Sequence, residues 1–135
     1  MKEILKVKDL SVSNKDVEIL KNISFQIKKG EILGIVGESG CGKSTLIRAL
    51  IQMMNKSEKI TNGEILFNEK NLLLLDNKQI RKLRGNNLGV IFQNPGATLN
   101  PIRKIGKQFV QTMQSHMDIS KNEALEKASN KSAYF

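Results

Sequence analysis

The chain has 135 residues, enough for one domain with a real core. Hydrophobic residues make up 39% and charged residues 26%, as in ordinary globular proteins, and the longest apolar run, Leu72 to Leu75, is far below the roughly 20 residues of a membrane span. A formal charge of +9 suits nucleic acid, an anionic surface or nucleotide phosphates, but the basic residues are scattered and the aromatic share of 4%, with no Trp, leaves few platforms for stacked bases.

The first ten residues mix acids and bases with no apolar core segment, so no signal peptide is expected. Cys41 is the single cysteine, which excludes an internal disulfide and fits a reducing cytoplasm. Residues 3–13 alternate loosely and predict a strand. Residues 19–27 alternate better, with Ile23, Phe25 and Ile27 on one face. Gly30 marks a turn. Residues 31–36, E-I-L-G-I-V, predict a short strand buried on both faces. A glycine-rich loop follows, then a helix from about Lys43 to Met54. Residues 55–62 read as polar loop and 63–68 as another strand.

Leu72 to Asp76, L-L-L-L-D, resembles an apolar strand ending in a metal-holding carboxylate. A second reading is local. Asp76 followed by Gln79 matches a helix N-cap with its box partner, Ile80 and Leu83 follow at helical spacing, and Gly85 ends the helix. Residues 87–93 predict a strand, and 94–101 a loop with both prolines, Pro95 and Pro101. Ile102, Ile105, Phe109, Val110, Met113 and Met117 form the stripe of an amphipathic helix. Ser120 and Glu123 form a second capping box, opening a helix that Phe135 cuts short.

The strongest motif is Gly37 to Ser44, G-E-S-G-C-G-K-S, which fits G-x-x-x-x-G-K-[ST] with Thr45 following. Its nine residues are the candidate phosphate cradle: Gly37, Glu38, Ser39, Gly40, Cys41, Gly42, Lys43, Ser44 and Thr45. The glycines let backbone N–H groups turn inward, and the helix start presents its positive end to the same anion. Lys43 would neutralise the outer phosphates and Ser44 would ligate Mg²⁺. The bland reading, a chance glycine-rich turn, does not explain the apolar run before and the helical pattern after. Cys41 reads as a small residue at a variable position rather than as a redox thiol.

With these residues, the segment from Ser24 to Leu50 resembles the strand, turn and Walker A motif of the ATPase subunits of ATP-binding cassette (ABC) transporters. V-I-F-Q-N-P-G-A-T-L-N-P, from Val90, followed by I-G-K-Q, resembles the Q-loop region of the oligopeptide, dipeptide and nickel importer branch. The resemblance runs from about residue 3 to about 125. It implies an α/β fold: a P-loop NTPase (RecA-like) core with an antiparallel β-subdomain, here an incomplete nucleotide-binding domain. About 1–92 would form the β-subdomain and part of the core, and about 93–135 the Q-loop and the start of a helical subdomain. Gln93 would be the Q-loop glutamine, coupling the site to a membrane partner and contacting Mg²⁺ or the attacking water. Asn14 stands where the family usually has an adenine-stacking aromatic; Val12 and Val17 are the aliphatic alternatives.

In that family L-L-L-L-D is a connector and not the Walker B strand, which agrees with Asp76 as a helix cap. No L-S-G-G-Q signature and no four-hydrophobe Asp-Glu strand occurs in the sequence. His116 comes too early to be the switch histidine and reads as a surface or packing residue. The implied function is an ATP-binding subunit that couples ATP hydrolysis to uptake of peptides or nickel, with ATP and Mg²⁺ as cofactors. Transmembrane permease subunits and a second ABC ATPase subunit are the implied partners, at the cytoplasmic face of the membrane. Lacking the catalytic carboxylates, the sequence is expected to bind Mg-nucleotide weakly without useful hydrolysis, and to leave a hydrophobic sheet edge open beside residues 31–36. Two alternatives stay open: a soluble cassette ATPase acting on nucleic acid or ribosomes, and a non-catalytic nucleotide-binding fragment.

Overall fold

The computed structural model describes residues 2–94, 96 and 99–132. It divides into two compact units, residues 1–81 and 82–135.

The first unit is built on one antiparallel sheet of order β2-β1-β3-β4. Its strands are β1 (Glu3–Asn14), β2 (Val17–Lys28), β3 (Glu58–Phe67) and the short β4 (Lys70–Asn71). β1 and β2 fall where the alternation predicts them. β3 starts at Glu58, so the first half of the strand occupies what reads in sequence as polar loop. The reason is pairing: Asn14, Ser13 and Val12 of β1 sit opposite Glu58, Lys59 and Ile60. A central strand recruits a polar partner because the backbone ladder does not depend on side-chain polarity.

Val7, Leu10 and Val12 of β1 are fully enclosed, as are Ile65 of β3 and Leu72 beyond β4. β1 carries a bulge at Asp9, whose φ is +47°. Its N–H donates to Ser24 Oγ at 2.8 Å, and Ser24 Oγ–H donates to Asp9 Oδ1 at 3.1 Å. On the other side of the bulge lies Gly63, at φ +102°. A Cβ there would stand 2.5 Å from Lys8 O and 2.6 Å from Leu10 Cα. Only glycine fits that crossing, because backbone atoms cannot yield as a side-chain tip can.

Helix α1 (Lys43–Leu50) places Leu46 and Ala49 in the core of this unit and ends earlier than the predicted Met54. Leu72–Leu74 forms a single 3₁₀ turn, capped by Asn71 Oδ1, which accepts from Leu73 N–H at 3.0 Å. Helix α2 (Asn77–Leu83) then starts as the capping box requires. Asp76 N–H donates to Gln79 Oε1 at 3.0 Å, and Gln79 N–H donates to Asp76 Oδ1 at 2.7 Å. Leu72 is core and Asp76 is a helix cap, so L-L-L-L-D is not a metal-binding strand.

Two predicted strands do not form. Residues 31–36 have no ladder partner, and Ile32 and Val36 are 96% and 94% exposed. An apolar strand buried on both faces is typical of a parallel sheet, and the one sheet among the described residues is antiparallel. Residues 87–93 are likewise irregular, apart from an isolated bridge between Arg84 and Leu88.

The second unit contains helices α3 (Ile105–His116) and α4 (Lys121–Ser132), packed on each other. Val110 and Ala124 are buried, whereas Ile102, Ile105, Phe109 and Met117 of the predicted stripe are exposed. The second capping box forms: Ser120 N–H donates to Glu123 Oε2 at 2.8 Å, and Glu123 N–H to Ser120 Oγ at 3.2 Å. His116 ends α3 with its ring against Gly85, so it is a packing residue. Pro95, Ala97 and Thr98 of the predicted loop, and Phe135, lie outside the described residues.

Gly63 yields a stability prediction. Gly63→Ala lowers the unfolding free energy by about 2–3 kcal/mol, through positive φ and backbone overlap together. Denaturant titration checks this, and a loss below about 0.5 kcal/mol would refute the bulge's role.

Candidate functional site

The phosphate loop sits between the exposed segment 31–36 and α1. Cys41 N–H donates to Glu38 O at 3.3 Å, which closes a turn over Ser39 and Gly40. Gly40 has φ +84°, which L side chains rarely adopt. Gly37 is pressed against the cysteine: a Cβ there would lie 2.6 Å from Cys41 Sγ. Glu38, Ser39 and Cys41 are exposed.

Gly42 is the N-cap of α1, at φ +97° and ψ +3°, and no side chain caps the first turn. A Cβ on Gly42 would meet Leu20 Cδ2 at 2.8 Å and Ile19 Cγ2 at 3.1 Å. Gly42 therefore lets the helix start approach β2, and the first-turn N–H groups, which point along the axis toward the helix N-terminus, carry no side-chain cap. Such groups, with the helix dipole behind them, are an anion site. The cradle fits a phosphate chain: it offers donors, lacks an internal cap, and excludes side chains where the backbone must come close.

Lys43 adds the positive charge. Its Nζ donates to Gly37 O at 2.7 Å and Glu38 O at 2.6 Å, and lies 3.5 Å from Cys41 Sγ. The ammonium thus folds back across the loop and holds the two carbonyls together. Ser44 is exposed in the first turn, so its hydroxyl is open to a cation beside bound phosphate.

Thr45 lies elsewhere. It is 5% exposed, and its Oγ1–H donates to Glu58 Oε1 at 3.3 Å while Oγ1 accepts from Arg48 Nη2 at 3.0 Å. The hydroxyl is committed to the protein interior; its contribution to an anion site is its backbone N–H.

Glu58 and Arg48 are the residues that sequence reasoning missed. The Glu58 carboxylate accepts from Arg48 Nη2, from Arg48 Nε at 3.1 Å and from Asn55 N–H at 2.9 Å, besides Thr45. It is buried, and no buried side-chain polar atom among the described residues lacks a partner. The Arg48 guanidinium holds the Glu58 carboxyl down at about 2, helped by the Asn55 N–H and the Thr45 hydroxyl, while burial opposes them. The carboxylate raises the pKa of Arg48 in return. Arg48 looks like a surface residue in the helical pattern and Glu58 lies in an apparent loop, so no local signal pairs them.

Asn14 is half-buried at the end of β1, opposite Val17 of β2. Val12 is completely enclosed, so it is not available to a ligand, whereas Val17 is 67% exposed. Beside the loop runs an open apolar groove of about 440 Å³, lined by Leu20, Ile23, Phe25, Leu33, Ile35 and Leu46 among others. Gln93 belongs to the second unit, where it is exposed in irregular chain.

Comparison with known proteins gives a consistent result. The family model described as ABC transporter matches residues 20–134. The chain is 44% identical over 110 residues to a probable peptide ABC transporter ATP-binding protein of Sinorhizobium fredii, covering 81% of this chain and 33% of that protein. It is 40% identical over 131 residues to the dipeptide transport ATP-binding protein DppD of Lactococcus lactis, covering 93% of this chain and 38% of that one. Over 130 residues it is 40% identical to the oligopeptide transport ATP-binding protein OppD of Bacillus subtilis, covering 93% and 36%. The chain thus spans about a third of the length of these relatives.

The Glu58 cluster carries a pH prediction. A carboxyl held at about 2 against an ordinary 4.5 contributes about 3 kcal/mol to folding, fully present above pH 4.5 and lost as pH falls through 2. In Glu58→Gln the contribution is absent. The stability gap between the native chain and this variant therefore narrows from pH 5 to pH 2 in urea titrations, and a gap constant over that range would refute the ion pair.

Proposed function

The chain belongs to the ABC transporter family, and from that premise we infer that its phosphate loop binds MgATP as part of the ATP-binding subunit of a peptide importer. The single observation behind this reading is the uncapped start of α1, set by left-handed Gly42 and faced by Lys43. The first-turn N–H groups donate to phosphate oxygens. Lys43 exchanges the carbonyls of Gly37 and Glu38 for the outer phosphates, and the Ser44 hydroxyl takes a place on the cation. Bound Mg²⁺ supplies charge neutralisation of the phosphate chain.

Gln93, by its resemblance to the Q-loop glutamine, joins the cation or water and relays occupancy to the membrane partner. The complete subunit has a RecA-like core in which residues 31–36 become a strand. It acts with transmembrane permease subunits and a second ATPase subunit at the cytoplasmic face of the membrane. Among the described residues, no helix is long and apolar enough to cross a membrane. The relatives named above carry peptide and dipeptide transport in their names, which favours peptides over nickel as the solute and an importer over an ATPase acting on nucleic acid.

Calorimetry with MgATP tests the assignment. Lys43→Ala weakens binding by about tenfold or more, the loss expected when a charge-assisted contact of 1.5–3 kcal/mol is removed. A chain that binds no MgATP, or binds it equally well without Lys43, would refute the site. Asn14→Tyr restores a stacking surface and tightens MgATP about tenfold. Unchanged affinity in that variant would place the base elsewhere.

A further inference from the structure

Helix α1 is fixed to the sheet at two points. At its start, Gly42 rests on Ile19 and Leu20 of β2. Within its first two turns, Thr45 and Arg48 are bound by the Glu58 carboxylate. Glu58 is also the first residue of β3, where it sits opposite Asn14 of β1. The neighbouring Lys15 N–H donates to Ser57 O at 3.0 Å, which fixes the same end of the strand pair. Asn14 in turn sits opposite Val17, the exposed aliphatic residue at that edge.

One residue therefore touches both halves of a nucleotide site. Its backbone pairs with Asn14, the strand end that the family resemblance implies for the base, and its carboxylate holds the helix that presents N–H groups to phosphate. The carboxylate accepts four hydrogen bonds, three of them from side-chain groups on α1. A buried carboxylate so saturated holds its partners in one geometry, because any displacement of α1 strands charge away from water.

We propose that Glu58 is a positioning residue that sets the phosphate helix at a fixed offset from the Asn14–Val17 edge, so that base and phosphates are met together. The inference rests on nucleotide binding as read above. The phosphate cradle itself is local: loop, Gly42 and the first turn of α1. Loss of the carboxylate leaves that cradle able to hold a bare phosphate chain but releases its register with the base edge. Thr45 serves the site through this link, with its hydroxyl turned inward.

Two probes separate these effects: MgATP and magnesium tripolyphosphate, titrated calorimetrically into the 135-residue chain, Glu58→Gln and Arg48→Lys. In Glu58→Gln the dissociation constant for MgATP rises about tenfold, while that for tripolyphosphate stays within about twofold. Arg48→Lys keeps the charge, loses the forked contact, and shifts MgATP in the same direction by less. A general loosening of the fold weakens both ligands together. Equal losses on both, or an unchanged MgATP affinity in both variants, would overturn the positioning role while leaving nucleotide binding in place. If the unsubstituted chain binds neither probe, the nucleotide reading fails, and this inference with it. If Glu58→Gln does not fold, Arg48→Lys alone decides by the same split.

Discussion

Strand β1 is the constraint on which the first unit depends. It is hydrogen-bonded on both sides, to β2 and to β3, so its register places two other strands at once. Its pairing with β2 puts Leu20 opposite Val12, and Leu20 is the residue on which Gly42 rests. Its pairing with β3 puts Glu58 opposite Asn14, and Glu58 holds α1. A slip of one residue would turn either side chain to the other face of the sheet. The bulge at Asp9, locked by Ser24 and made possible by Gly63, pins the register against such a slip.

Lys43 shows how the loop manages its own charge. An ammonium beside uncapped N–H groups is unfavourable, and here it is held by hydrogen bonds to two loop carbonyls. A phosphate that entered would replace those acceptors, so the lysine would contribute the difference between two sets of contacts and not the whole of one. The same two bonds draw Gly37 and Glu38 toward the helix start, which keeps the loop curved without a ligand. Glycine at position 37 is part of this, since a side chain there would collide with Cys41 and open the ring.

What was legible in the sequence was local or motif-bound. Asp76 with Gln79, and Ser120 with Glu123, each form a capping box because both partners lie within one turn and need nothing distant. Gly42 and Lys43 were legible because a nine-residue spacing carries their geometry. Residues 31–36 were misread because a doubly buried strand is defined by its neighbours, and apolar composition cannot say whether neighbours are present. Glu58 was hidden for the opposite reason. Its sequence neighbours Lys56, Ser57 and Lys59 are those of a solvated loop, and only β1 makes them a strand. Its pairing with Arg48 crosses from helix to sheet, which no periodicity records. The exposed part of the α3 stripe shows the same limit: Phe109 and Met117 have the spacing of buried residues without the burial.

The loop is anchored at its exit and not at its entrance. Beyond it, the amides of α1 are tied into a helix from Leu46, whose N–H donates to Gly42 O at 2.9 Å. Before it, the amides of Ile32 to Val36 have no backbone acceptor among the described residues. Hydrogen exchange with solvent therefore changes regime where the phosphate loop meets the helix, from open-chain rates to protected ones at Leu46. That boundary is an internal gauge. A strand that paired with residues 31–36 would move it toward the N-terminus, whereas a phosphate at the loop would slow exchange only at the helix start. The two events, seen at different amides of one short segment, can be told apart without a label on either partner.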